Sequence, residues 1–216
     1  MERIAFYGGT FDPVHLGHLT VATRLLSVFA LDRFVFLPAF HAPHKSKSNP
    51  APAYHRFAML ALATKDLPHI SISTLELEHA KKRYTVESLA ELKENYPTAK
   101  LFFVMGADSW MDIRTWKDWE KVLLMTDQIV VTRPGYEIRF DHVSDSVRSR
   151  IVDLRGDTVP TLGENTSTAI YITDAVEMSV SASLIRKDVS EDDRLDDRDR
   201  VPDEVAKYIE KYELYR

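Results

Sequence analysis

Short, unbroken apolar runs alternate along this chain with segments of helical period, and that alternation restricts the fold more than any other feature of the sequence. RIAFY (3–7) is followed by LGHLTVATRLLSVFAL (16–31), where Leu16, Leu19, Ala22, Leu26 and Phe29 recur at three- and four-residue steps and so share one helix face. FVFLP (34–38) then precedes a proline-rich loop running through Pro52 and a helix over 54–66; HISIST (69–74) precedes a helix over 85–96; KLFFVM (100–105) and DQIVVT (127–132) complete the series. Strand followed by helix, repeated, predicts a parallel sheet covered by helices. LFFVM is apolar throughout rather than alternating, as a strand buried on both faces must be. The expected fold is α/β: a Rossmann-like, doubly wound parallel sheet flanked by helices, in a single domain over 1–216, a length that suits one sizeable core.

Composition narrows what such a domain does. A formal charge of −5 is a poor match to broad nucleic-acid binding, which needs a basic face, so an anion would have to be met by cations gathered in one cleft. No cysteine is present, which removes disulfides, thiolate nucleophiles and Cys-type metal centres. MERIAFYGG does not read as a secretory signal and no apolar run approaches membrane-spanning length, so a cytoplasmic protein without membrane contact is expected. The charged stretch 186–200 reads as a solvated loop, and VPDEVAKYIEKYELY as an amphipathic helix packed on the domain.

The first strand runs into YGGTFDPVHLGHL (7–19). Gly8 and Gly9 permit close approach of a ligand or a positive φ, and the following helix aims its N–H groups at the same place, a natural seat for phosphate. Neither GxxxxGK[ST] nor GxGxxG is found there, which argues against P-loop enzymes and dinucleotide-dependent dehydrogenases. His15 and His18, three apart, lie on one side of a helical turn with Gly17 between them. Three readings stay open on spacing alone: phosphate binding, structural histidines, and a metal site lacking the Glu of HExxH enzymes.

GGTFDPVHLGH (8–18) resembles the first signature of the HxGH nucleotidyltransferase superfamily. PAFHAPHK (38–45), RYT (83–85), FFVMGADS (102–109) with Trp116 beyond it, VVTRPG (130–135), SVSASLIR (179–186) and VPDEVAKYI (201–209) narrow the resemblance to bacterial nicotinate-nucleotide adenylyltransferases, nearly end to end and in family order. Two departures stand out. The usual ISSTxIR is VSASLIR here, with Ala182 in place of the middle hydroxyl, and the frequent PPHK is APHK.

The resemblance implies transfer of an adenylyl group from ATP to nicotinate mononucleotide, with Mg²⁺ arriving on the ATP. It places Gly8, Gly9, Thr10, Phe11, His15, His18, Gly106, Asp108, Ser181, Ser183 and Arg186 on the ATP side. His18, His15, Lys45 and Arg186 would serve the reacting phosphates. Lys45, Thr85, Trp116 and Arg133 would meet the mononucleotide, with Trp116 stacking on the pyridine ring and Thr85 plus nearby N–H groups reading its carboxylate. Arg133 reads equally well as a cap on the sheet end, and Trp110 and Trp119 as core. Another phosphate-bearing acceptor such as phosphopantetheine, or a non-catalytic nucleotide sensor, are the alternatives.

Overall fold

The structure is a computed structural model, and it describes residues 1–40, 50–79, 82–132, 137–156, 167–174, 180–192 and 200–216. In chain order the elements are β1 (Arg3–Gly9), α1 (Leu16–Val28), β2 (Arg33–Pro38), α2 (Ala53–Thr64), β3 (Ile70–Ile72), α3 (Leu75–Glu78), α4 (Thr85–Asn95) and β4 (Lys100–Gly106). They continue with α5 (Ala107–Met111), a 3₁₀ turn (Ile113–Thr115), α6 (Trp119–Met125), β5 (Asp127–Val131), α7 (Asp145–Arg148), β6 (Ile151–Asp153), β7 (Ile170–Thr173), α8 (Ala182–Asp192) and α9 (Asp203–Lys211).

Among the described residues the strands form one seven-stranded sheet in the order β3-β2-β1-β4-β5-β7-β6, with every pairing parallel. Chain order runs outward from β1 to β3 on one side and restarts at β4 on the other, so the connections diverge between β1 and β4. That divergence opens a crevice beyond the carboxyl ends of the two strands. Gly8 pairs with Leu37 and Gly9 with Pro38 of β2, which carries β1 right up to the crevice.

The continuous apolar runs feed two cores. Ala5, Phe34, Phe36, Phe102, Val104 and Ile129 face one layer, with Val21, Ala22 and Leu25 of α1, Met59 and Leu60 of α2, Ile185 and Val189 of α8, and Val205 and Ile209 of α9. Ile4, Phe6, Val35, Leu37, Leu101, Phe103 and Val130 face the other, with Leu89 and Leu92 of α4, Trp110, and Val122 and Leu123 of α6. Successive strand residues alternate between the layers because Cβ direction alternates along a strand. A three-layer α/β architecture follows, and the expected fold class holds.

The structure departs from the sequence reading most in the following places. The first helix ends at Val28 rather than residue 31, because Ala30 takes a left-handed φ of 45° and turns the chain. The stretch 186–200, read as a solvated loop, is helical through Asp192: Ile185 and Val189, four apart, are buried and hold α8 on the sheet. Two strands at the sheet's far side, β6 and β7, lie beyond the sequence reading, being only three and four residues long. The C-terminal helix packs as expected, with His55 Nδ1 of α2 at 2.9 Å from the Tyr208 hydroxyl of α9.

Phe102, fully buried on a central strand against Phe29 and Tyr171, tests this packing. Phe102→Ala is expected to cost about 3–5 kcal/mol, read from the shift of the urea unfolding midpoint; a cost below about 1 kcal/mol would contradict a close-packed core at this position.

Candidate active site

Two adjoining cavities open at the carboxyl ends of β1 and β4, of about 280 Å³ and about 160 Å³. Gly8, Gly9, Thr10, Asp108 and Ser109 line both, forming the wall they share. The larger continues over Glu76, Arg83, Tyr84, Thr85, Trp116 and Lys117, and the smaller over Phe11, Asp12, His18, Gly106, Ala182 and Arg186.

The glycines have specific reasons. A Cβ on Gly8 would lie 2.8 Å from the Phe103 ring, and one on Gly9 2.8 Å from the Phe11 ring, closer than side chains pack. The left-handed residue of the loop is Phe11, with φ 50°, so the glycines serve close approach to these rings as well as to whatever fills the cavities. Gly17 makes room for the His15 imidazole, whose Nδ1 would sit 3.0 Å from an added Cβ.

His15 caps the N-terminus of α1 in extended conformation and is 4% exposed. Its ring stacks on His18 at 3.7 Å between centroids, and its backbone N–H donates to His18 Nδ1 at 3.2 Å. With Nδ1 accepting, the neutral His18 ring carries its hydrogen on Nε2 and is prepared as a donor. His18 stands on the wall of the smaller cavity; His15 is buried against it and is not among the wall residues.

Across that cavity, Ser181 caps α8, its Oγ accepting from the Leu184 N–H at 3.3 Å, so its hydroxyl is engaged in holding the helix start. Arg186 donates Nη1 to the Asp12 carbonyl at 2.6 Å and Nη2 to Ser183 Oγ at 3.3 Å. Ala182, where the resemblance leads one to expect a hydroxyl, contributes to the wall. Thr85 opens α4 and Trp116 ends the 3₁₀ turn, and both face the larger cavity. Trp110 is fully buried and donates Nε1 to the Arg139 carbonyl at 2.9 Å, a core residue as expected. Lys45 and Arg133 lie outside the described residues.

Sequence reasoning missed the support beneath these walls. Arg56, 1% exposed, donates Nη1 to the Thr10 carbonyl at 2.6 Å, Nη2 to those of Ala39 (2.6 Å) and Phe40 (3.2 Å), and Nε to that of Ala51 (2.9 Å). Burial pushes its pKa down and Asp12 opposes the shift, but an arginine this well bonded stays charged. Asp12 Oδ1 accepts from the Ala51 N–H at 3.1 Å and from the Tyr215 hydroxyl at 2.8 Å. Burial, together with the neighbouring Asp12 carboxylate, drives the Tyr215 pKa far upward and keeps it a donor. The one available signal was a charged residue on the apolar face of α2. In the larger cavity Glu76 accepts from Ser88 Oγ at 2.7 Å, and burial raises its pKa against the opposing effects of Ser88 and Arg83.

Fold and cavities define the class, an HxGH-type nucleotidyltransferase, and a family model described as cytidylyltransferase-like matches residues 6–188. "Probable nicotinate-nucleotide adenylyltransferase" proteins of Symbiobacterium thermophilum and of a Thermus thermophilus strain are 35% and 36% identical to the chain, spanning 100% and 99% of it and 96% and 100% of their own lengths. The chain belongs to the nicotinate-nucleotide adenylyltransferase family. The fold is also that of a Plasmodium falciparum nicotinic acid mononucleotide adenylyltransferase complexed with NaAD, at a TM-score of 0.75 and 20% identity over 100% of this chain and 98% of that one. Among the described residues no helix is long and apolar enough to cross a membrane.

Glu76 offers a test by pH. A carboxyl whose folded pKa is raised by burial releases its proton more readily when unfolded, so it weakens folding as pH rises past its unfolded value. Glu76→Gln keeps an oxygen for Ser88 and removes the charge, so it is expected to stabilise the fold near pH 8 and to lose that advantage near pH 4. Parallel thermal melts of the two proteins across this range check the sign; a constant difference would show that Glu76 does not titrate differently on folding.

Proposed function

We propose that the chain transfers the adenylyl group of ATP to nicotinate mononucleotide, giving deamido-NAD and pyrophosphate, as a cytoplasmic step of NAD synthesis. The observation that supports this best is the pairing of cavities: one walled by an imidazole and a guanidinium, the other by an aromatic ring and a helix start, meeting at Gly8, Gly9, Thr10 and Asp108. Two nucleotides placed in them would meet end to end at the shared wall.

The mononucleotide's phosphate oxygen is its own nucleophile, already ionised near neutrality, and it attacks the α-phosphorus while pyrophosphate leaves. No protein nucleophile or general base is needed. The obstacle is repulsion: two unit charges 4 Å apart repel by about 1 kcal/mol in water and about 4 kcal/mol at an effective dielectric of 20. Positioning and cationic donors therefore carry the catalysis.

On this reading His18 Nε2 donates to the transferring and leaving phosphates. His15 holds it from behind through the stacked ring and the N–H bond to Nδ1, and Arg186 swings its fork from the Asp12 carbonyl onto phosphate oxygens. Ser181 and Ser183 fix the start of α8 and the Arg186 side chain. Gly106 and Asp108 take the adenosine side, with Thr10 and Phe11 closing the loop over the phosphates. Trp116 stacks on the pyridine ring and Thr85 presents the start of α4 to its carboxylate. Lys45 is assigned the incoming phosphate, and Arg133 the mononucleotide or the sheet end, from their motifs. Mg²⁺ travels with ATP as part of the substrate; among the described residues no group of three or more His, Asp or Glu is placed to hold a metal.

Pyrophosphate release with ATP and Mg²⁺, compared between nicotinate and nicotinamide mononucleotides, tests the assignment: turnover of the acid is expected, and silence with both would redirect it to another phosphate acceptor. His18→Ala is expected to lower kcat by about a hundredfold or more; near-parental turnover in a folded variant would remove His18 from the chemistry. Trp116→Ala is expected to raise KM for the mononucleotide by about tenfold while leaving that for ATP nearly unchanged, given the worth of one stacked base. Equal rises in both constants would take Trp116 out of the pyridine site.

A further inference from the structure

The larger cavity holds a cationic donor that the reading above leaves unused. Arg83 lines it together with Thr85 and Trp116, one residue before Tyr84, the cap of α4. Its side chain is 12% exposed. Nη2 is engaged, donating to the Glu87 carbonyl at 3.1 Å and pairing with Glu91 Oε2. Nε is different: it is buried and has no hydrogen-bond partner among the described residues. A buried guanidinium N–H without an acceptor is unfavourable, more so than a neutral donor, and such a group calls for an explanation.

The other cation on this wall is already engaged. Lys117 Nζ lies 2.8 Å from Glu87 Oε1 and 4.7 Å from the centre of the Tyr84 ring. Among the described wall residues Arg83 thus keeps guanidinium donors, Nε among them, that Glu87 and Glu91 do not take up, and their natural partner is an anionic oxygen. A substrate with a phosphate and a ring carboxylate offers two. The phosphate has to reach the shared wall beside the smaller cavity, whereas Arg83 lines the larger cavity alone, the one that also holds Trp116. The carboxylate is the oxygen that stays with the ring.

Charge on the wall makes the guanidinium matter. Glu76, Asp108 and Asp112 line the same cavity, and a substrate carboxylate entering among them needs a cation beside it. Burial raises the pKa of Glu76 while Ser88 and Arg83 oppose the shift, so Arg83 already acts on a carboxylate of this wall.

We propose that Arg83 is a specificity-determining residue, its guanidinium donating to the ring carboxylate of the mononucleotide and setting the preference for the acid over the amide. This rests on the acceptor assigned above. A carboxamide oxygen can accept the same hydrogen, but a bond between two charged groups is about twice as strong, so the acid gains more from Arg83 than the amide does.

The decisive quantity is the ratio of kcat/KM for nicotinate mononucleotide to that for nicotinamide mononucleotide. Arg83→Gln is expected to lower the ratio by about tenfold or more, through a higher KM for the acid, with KM for ATP unchanged. If Arg83 only anchors Glu91, both mononucleotides suffer alike and the ratio stays within about twofold of the parent, which overturns the proposal. Should Arg83→Gln fail to fold, a crystal structure of the unaltered protein with deamido-NAD decides: a carboxylate oxygen within about 3.2 Å of an Arg83 guanidinium nitrogen upholds the assignment, and a carboxylate seated elsewhere overturns it. Lack of turnover of either mononucleotide by the unaltered protein would overturn the acceptor assignment and this inference with it, whereas turnover of both with an unchanged ratio in Arg83→Gln overturns the inference alone.

Discussion

The fully buried guanidinium of Arg56 is the interaction on which the active-site end of the sheet depends. It gathers carbonyls from three separate places, Thr10 after β1, Ala39 and Phe40 after β2, and Ala51 before α2. Taking a charge this far out of water is tolerable only when its donors are satisfied, and here Nε, Nη1 and Nη2 all reach carbonyl oxygens. Irregular backbone at a strand end has few internal partners of its own. Arg56 supplies them, so the loop that frames both cavities is held by a helix from beneath.

A second layer of support converges on Asp12. Its carboxylate is held by the Ala51 N–H and the hydroxyl of Tyr215, next to last in the chain, while its carbonyl receives Arg186 from α8. The first loop, the base of the second, α8 and the C-terminus therefore share one hydrogen-bonded knot. A buried carboxylate beside a phosphate cavity would repel its ligand if left bare; Tyr215, Arg56 and Arg186 around it offset that charge. His18 depends on a similar arrangement, with the N–H of His15 donating to Nδ1 and so leaving Nε2 as the donor of a neutral ring. In both cases one residue touches the cavity and another, buried behind it, decides how.

Much of this was legible in the chain. The apolar runs of β1, β2, β4 and β5 announced a parallel sheet because a strand covered on both faces has no polar side to show. The paired glycines and the two histidines marked the strand end as the site, and the later motifs named the remaining walls. What escaped notice did so for physical reasons. β6 and β7 are too short for a period to register, and α8 is held by two buried residues amid charged ones. Arg56 and Tyr215 are single polar residues in helical or tail sequence, and nothing local says that their partners lie up to 203 positions away.

The sequence by itself determined the architecture, the end of the sheet that works and the chemical types present there, since each of these follows from local periodicity and from residues adjacent in the chain. Tertiary structure alone decided the division of labour among them. It placed His15 behind His18, tied Ser181 Oγ to the Leu184 N–H at the start of α8, and left the buried Arg83 Nε unmatched behind the wall that also carries Trp116. The reason is that a donor's role depends on which acceptors surround it after burial, and those acceptors come from segments far apart in the chain.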